Sequence, residues 1–207
     1  CVEFFVSLYF SVMKIEIPFS MNGKNEDVFF LSNGHISPVF YSVLARKGYF
    51  PLEELNTFRL INSRLQGHPT THEGLPGIRV ASGSLGQGLS VAIGAALTKK
   101  LNNDSKTVFV LLGDGELQEG QNWEALMYAA GKRVDNIIAT IDLNGKQIDG
   151  ATDDVLAMGS IKEKFEAFGW EVIEIENGNN VEDITKGLLN SKSLCGKKKP
   201  VCILLKT

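Results

Sequence analysis

Apolar positions along this chain fall into a clear rhythm from residue 81 onward, where unbroken apolar runs alternate with helical patterns. Residues 88–101, GLSVAIGAALTKKL, are apolar nearly all round, which predicts a buried helix. Residues 107–112, TVFVLL, form a continuous β-branched and apolar run, as in a strand covered on both faces. Residues 119–132 predict a helix with an apolar stripe at Trp123, Leu126, Met127 and Ala130, and residues 136–141, NIIATI, predict a second buried strand. The pattern continues with a helix over 161–168, a strand over 170–175, a helix over 181–189 and a last strand over 201–205. Strands separated by single helices imply βαβ units, hence an α/β fold with a parallel β-sheet and helices on both faces. Ligands of such a sheet gather outside the carboxyl ends of its strands.

The preceding part is less regular. Residues 32–80 hold all three histidines, His35, His68 and His72. Within them, residues 52–65 are expected to be helical, with Pro51 near the start. Residues 1–13, CVEFFVSLYFSVM, are apolar but carry Glu3 and no basic leading segment, so a signal peptide is rejected. They are also too short to span a bilayer, and an amphipathic helix is expected instead. The chain opens on Cys1 rather than Met, so its true N-terminus is expected to lie upstream.

Composition narrows the partners. With 207 residues the chain suits one domain, residues 1–207, able to bury a core without staples. A net charge of −3 gives no nucleic-acid footprint, and Lys197–Lys199 reads as a solvated loop. Cys1, Cys195 and Cys202 have neither zinc-ligand nor CxxC spacing. Their odd number argues for reduced thiols and a cytoplasmic setting.

Three loops carry candidate chemistry. After the strand over 107–112 comes Gly113-Asp114-Gly115, whose glycines let the backbone turn sharply and approach a ligand. Asp114 then either caps a turn or helps hold a Mg²⁺ ion that bridges it to a phosphate. After the next strand comes Asp142-Leu143-Asn144-Gly145-Lys146, and residues 116–143 are about one helix and one strand, which returns Asn144 to the side of Asp114. Alone, Asn-Gly is equally a hairpin turn. The third loop, ASGSLGQG over 81–88, is not a dinucleotide fingerprint. Its small residues either wrap an anionic or flat ligand or allow close helix packing. Taken together, GDG, a helix, a buried strand and Asn form the thiamine-diphosphate pattern.

The stretches LSNGH (31–35), LQGHP (65–69), ASGSLGQG (81–88), LLGDGELQEGQNWEA (111–125), IDLNGKQIDG (141–150) and FEAFGW (165–170) resemble the transketolase family in order and spacing. The resemblance covers almost the whole chain. It implies the thiamine-diphosphate-binding fold, with thiamine diphosphate and Mg²⁺ as cofactors. Asp114, Asn144 and the backbone carbonyl of Lys146 match the metal ligands, and Gly113 and Gly115 match the turn against the diphosphate. Gly83, Ser84 and Leu85 match the loop against the cofactor rings. His35 and His68 match histidines lining the cofactor and substrate channel, suited to handling a sugar hydroxyl proton. Glu119 and Glu124 match acidic residues that link paired active sites. His72 matches no such residue and is expected in a solvated loop. The implied reaction moves a two-carbon ketol unit from a ketose phosphate to an aldose phosphate, as in the pentose phosphate pathway.

The chain also departs from the family pattern. A further N-terminal segment with a histidine-containing turn has no counterpart here, and the chain stops at Lys206-Thr207, where the family continues to another active-site histidine. The domain is therefore expected to be truncated at both ends. Asn33 stands where many members have lysine. The pyrimidine-binding half, with the glutamate that activates the cofactor, must come from another domain or chain, and a split subunit is the favoured reading. Homo-oligomeric pairing is also implied. Rival readings are a deoxyxylulose-phosphate synthase, a 2-oxoacid dehydrogenase alpha chain, or a non-catalytic cofactor-binding subunit. A nucleotide-binding domain is excluded because no Walker Lys-[Ser/Thr] follows the glycines.

Overall fold

A computed structural model describes residues 1–207. The chain begins with α1 (Val2–Ser7), which runs on as a π-helical turn, Leu8–Val12, and then reaches β1 (Val28–Leu31) and α2 (Ser37–Arg46). After a long irregular stretch come α3 (Gly88–Leu101), β2 (Val108–Gly113), α4 (Gly120–Gly131) and β3 (Ile137–Leu143). A short hairpin, β4 (Lys146–Gln147) and β5 (Gly150–Ala151), leads to α5 (Thr152–Leu156) and α6 (Ile161–Ala167). The chain closes with β6 (Glu171–Ile175), α7 (Val181–Leu194) and β7 (Val201–Lys206). Five strands form one parallel sheet in the order β1-β2-β3-β7-β6.

Strand side chains alternate between two cores, as the period of two requires. Phe29, Leu31, Phe109, Leu111 and Ile203 face one layer, built from α1, α2 and α7 through Phe5, Phe40, Leu44, Ile184 and Leu188. Val28, Phe30, Val108, Val110 and Leu112 face the other, where α3, α4 and α6 supply Leu89, Ile93, Leu126 and Phe165. Burial on both faces explains why these strands read as continuous apolar runs. The α/β fold with helices on both faces is therefore observed. The apolar N-terminal run is part of the core: Phe4, Phe5 and Tyr9 pack around Phe29 with ring centroids 5.5–6.4 Å apart. No helix is long and apolar enough to cross a membrane.

Several expectations need correction. Residues 52–65 are not one helix: a 3₁₀ turn, Leu52–Thr57, ends at once because Arg59 and Asn62 take left-handed backbone angles. The chain then doubles back, with the Arg59 N–H donating to the Leu65 carbonyl at 2.9 Å. Met127 is 61% exposed and is not in the apolar stripe of α4, whose buried positions are Asn122, Ala125, Leu126 and Ala129. The last long helix runs on to Leu194 rather than ending at 189. β1 and α2 lie in stretches where no element was expected, because four apolar residues are too short a signal and Pro38 sits in the first turn of α2. The hairpin beyond Asn144-Gly145 turns at Ile148-Asp149, four residues later than the Asn-Gly pair itself would place it.

The amino end of the sheet is tied by buried charge. Asp27, just before β1, accepts from the Lys14 N–H at 2.8 Å, the Thr107 N–H at 2.9 Å and Lys192 Nζ at 2.5 Å. Lys99 of α3 donates to the carbonyls of Gly23 and Glu26 and to Asp104, each at 2.8 Å. These contacts fix the strand ends opposite the site and leave the carboxyl ends free to carry loops.

Candidate functional site

The segments that leave the carboxyl ends of β1, β2 and β3 surround a cleft of about 750 Å³. His35, His68, Gly83, Leu85, Asp114, Glu119, Asn144 and Lys146 all line it, although they come from five separated stretches of sequence. Gly113 and Gly115 line it as well. Ser84 is exposed beside the cleft but outside its wall, and Glu124 points to solvent from α4. His72 is exposed in a separate polar pocket that also holds His68 and Arg59.

Asp114 is 3% exposed at the end of β2. One carboxylate oxygen accepts from the Gly115 N–H at 2.8 Å, and the other accepts from the Gly145 N–H at 2.7 Å. The next loop is organised around Asn144, whose Oδ1 accepts from the Lys146 N–H at 2.8 Å and whose Nδ2 donates to Asp142 Oδ2 at 3.2 Å. Burial pushes the Asp114 carboxyl above its usual range, and nearby Asp142 adds to this, while the Gly145 and Gly115 N–H groups oppose it. A cation at this point would reverse that balance.

The donor set fits a hard divalent ion bound together with a phosphate. The two Asp114 carboxylate oxygens and Asn144 Oδ1 each use one lone pair on a local N–H and keep another. The Lys146 carbonyl stands 3.5 Å from where a Cβ on Gly115 would sit, so the hairpin strand lies directly against the GDG turn. No group of three or more His, Cys, Asp or Glu side chains is placed to hold a metal by itself. The expected set contains only one such side chain, beside an amide, a backbone carbonyl and the ligand's own oxygens, and Mg²⁺ commonly binds in this mixed way.

The opposite wall is packed by glycine contacts. A Cβ on Gly34 would fall 2.7 Å from the Gly83 nitrogen, and one on Gly83 would fall 2.6 Å from His68 Cδ2. Gly83 also has φ +115°, which side-chain-bearing residues rarely adopt. The three motifs NGH, QGHP and SGSLGQG therefore meet with no spare room, and His35 and His68 both line the cleft. Desolvation lowers the His35 pKa, His68 lowers it further, and Asp142 acts the other way. This favours the neutral imidazole of His35, which can donate or accept a proton.

Three residues of the site were given no role in the sequence. Glu116 is a buried carboxylate in the 3₁₀ turn Gly115–Gln118, where a glutamate after a glycine turn looks solvated. Asp142 sits between Asn144 and Asp114 and accepts from Thr207 Oγ1 at 2.8 Å. Asn33 lines the cleft with its Oδ1 buried and unpaired. A polar residue within two positions of an apolar strand's carboxyl end is the one signal that Asn33 and Asp142 share.

The family model described as transketolase, thiamine diphosphate binding domain, matches residues 5–207. A 6-deoxy-6-sulfo-D-fructose transketolase subunit of Clostridium sp. (strain MSTE9) is 40% identical over 205 residues, covering 99% of this chain and 73% of that one. An apulose-4-phosphate transketolase subunit of Actinobacillus succinogenes is 38% identical, covering 100% and 72%. Human transketolase is 37% identical over 99% of this chain, which spans only 32% of the human protein. Among solved structures, transketolase from Leishmania mexicana superposes with a TM-score of 0.89 at 31% identity, covering 99% of this chain and 31% of that one. This chain, with its cleft at the carboxyl ends of β1, β2 and β3, belongs to the transketolase family and corresponds to that family's thiamine-diphosphate-binding domain.

Proposed function

We propose that this chain is the diphosphate-binding part of a two-part transketolase site. Asp114, Asn144 and the Lys146 carbonyl would hold Mg²⁺ and, through it, the diphosphate of thiamine diphosphate. Gly113 and Gly115 would admit the diphosphate to the backbone, and the loop over 83–85 would lie along the rings through Gly83 and Leu85, which line the cleft. The convergence of Asp114 with the Asn144–Lys146 loop, locked by the 2.7 Å Gly145–Asp114 bond, is the observation that carries this reading.

Bound thiamine diphosphate supplies the nucleophilic carbon and electron sink that cleave a ketose beside its carbonyl. The chain's own contribution is to anchor, orient and move protons. His35 and His68 line the cleft where a sugar hydroxyl would lie, and a neutral imidazole there could give or take its proton. Glu119 at the cleft rim and Glu124 on α4 would join a carboxylate network across paired copies of the assembly.

The substrates are a ketose phosphate donor and an aldose phosphate acceptor, and the two subunit relatives are named for anionic sugars. The chain covers most of those subunits but about a third of the full-length enzymes. The pyrimidine-binding half is therefore assigned to a partner subunit or a further domain, within a paired assembly in the cytoplasm. The test is to assay ketol transfer by this chain alone and mixed with a pyrimidine-binding transketolase subunit, under saturating cofactor and Mg²⁺. Activity is expected only in the mixture, with ketose phosphate and not pyruvate as donor. Full activity of the chain alone would refute the split site.

A further inference from the structure

Glu116 has no part in the roles assigned so far, yet it is 2% exposed at the floor of the cleft. Every partner of its carboxylate is a neutral donor. Ser32 Oγ and the Gly86 N–H both donate to Oε1, the latter at 2.9 Å, and the Gly113 N–H donates to Oε2 at 3.3 Å. Burying a carboxylate without a cation is costly, and an apolar side chain could fill the same volume more cheaply. A glutamate here is explained by what it joins.

The donors belong to three different segments. Ser32 directly follows β1, Gly86 lies in the ASGSLGQG loop, and Gly113 opens the GDG turn. Ser32 lies 84 positions from Glu116 and Gly86 lies 30. Ser32 Oγ in turn accepts from the Gly88 N–H at 3.2 Å, so the start of α3 is held through the same hydroxyl. The fit is close, since a Cβ on Gly88 would fall 2.4 Å from Ser32 Oγ.

We propose that Glu116 is a positioning residue of the cofactor bed, which sets the spacing between the 83–88 loop and the GDG turn. This rests on the function proposed above. The two sides of the bed differ in their dependence on it. The GDG turn is held independently by the Asp114–Gly145 bond at 2.7 Å, and its link to Glu116 is the longest of the set. The 83–88 loop has its Gly86 and Gly88 nitrogens anchored only through Glu116 and Ser32. Loss of the carboxylate should therefore spare the diphosphate turn and release the loop against the rings.

The test is calorimetric titration of the assembled protein with two probes, Mg²⁺-thiamine diphosphate and Mg²⁺-pyrophosphate. For Glu116→Ala, affinity for the whole cofactor is expected to fall roughly 10–100-fold, the range seen when an outer supporting group is removed, with pyrophosphate affinity little changed. Glu116→Gln keeps an acceptor for Ser32 and Gly86 and turns an amide N–H toward Gly113, so a smaller loss is expected. It is the variant to read if the alanine form does not fold. Equal weakening of both probes, or of neither, would overturn the positioning role. Failure of the unaltered protein to bind either probe would instead overturn the function on which the role rests.

Discussion

The Gly145 N–H donates to Asp114 Oδ2 at 2.7 Å although the two residues lie 31 positions apart. The bond makes the turns after β2 and β3 one rigid unit. It also means that Asp114 shapes its neighbour loop even before any cation arrives.

Asp114→Ala is therefore expected to abolish cofactor retention, whereas Asp153→Ala, on the exposed first turn of α5, retains it. The loss has two sources: the missing oxygens, and two N–H groups left without their acceptor, costing about 1–3 kcal/mol. Cofactor content of the purified variants, with and without a chelator, reads the outcome. Equal retention by both variants would show that the cofactor sits elsewhere, and equal cofactor affinity with and without the chelator would remove the metal bridge.

Gly83→Ala should act as an indirect His68 variant. The new methyl would fall 2.6 Å from His68 Cδ2 on a backbone that already has φ +115°, so the imidazole must move. Turnover is expected to drop by up to roughly 10²–10⁴-fold, the contribution of a positioned acid or base. His68→Ala should do the same, with a smaller effect on cofactor affinity in each case. Single-turnover assays with a ketose phosphate measure the first quantity and titration the second. Loss of cofactor with normal turnover per bound cofactor would make His68 structural.

Much of the fold was legible because buried parallel strands announce themselves as apolar runs. TVFVLL and NIIATI both did so, and the loops after them were identified as chemically loaded for that reason. The Leu52–Leu65 stretch misled because its leucines suggest a helix, while the left-handed angles at Arg59 and Asn62 and the Glu54–Arg64 pair that closes the turn depend on tertiary contacts. Glu116 was invisible for a similar cause. Its burial comes from Ser32 and Gly86, which the sequence places far away, and nothing local distinguishes it from the exposed Glu119. The roles implied by the family resemblance supplied the rest of the site.

The titration of His35 should depend on His68. His68 lowers the His35 pKa, second only to burial. In His68→Ala the His35 value should rise toward 6.5 yet stay below it, because desolvation persists. The sign for stability follows: a lowered folded pKa leaves the unfolded chain holding more protons, so the His35 contribution is complete above about 6.5 and is lost as pH falls through the lowered value. Imidazole proton shifts followed by NMR from pH 8 to 5 would check this. A His35 titration that stays in place, or moves down, when His68 is removed would contradict the shared field.

The amino end of the sheet offers the opposite case, where stability should change without the site. Asp27 is 0% exposed and accepts from two backbone N–H groups and from Lys192. Asp27→Ala removes all three bonds at once and should cost roughly 3–5 kcal/mol, the range for breaking a buried pair. Lys192→Met should cost less. It keeps most of the unbranched aliphatic stem, losing only the ammonium 5.9 Å from the Phe109 ring centroid, and it leaves Asp27 with both backbone donors. Because Asp27 precedes β1 while the cleft lies beyond the carboxyl ends, neither change should alter cofactor affinity of the folded protein. Denaturant unfolding gives the first quantity and titration under native conditions the second. An Asp27→Ala protein that unfolds at the wild-type midpoint, or that folds normally and loses cofactor, would show that the two ends of the sheet are not independent.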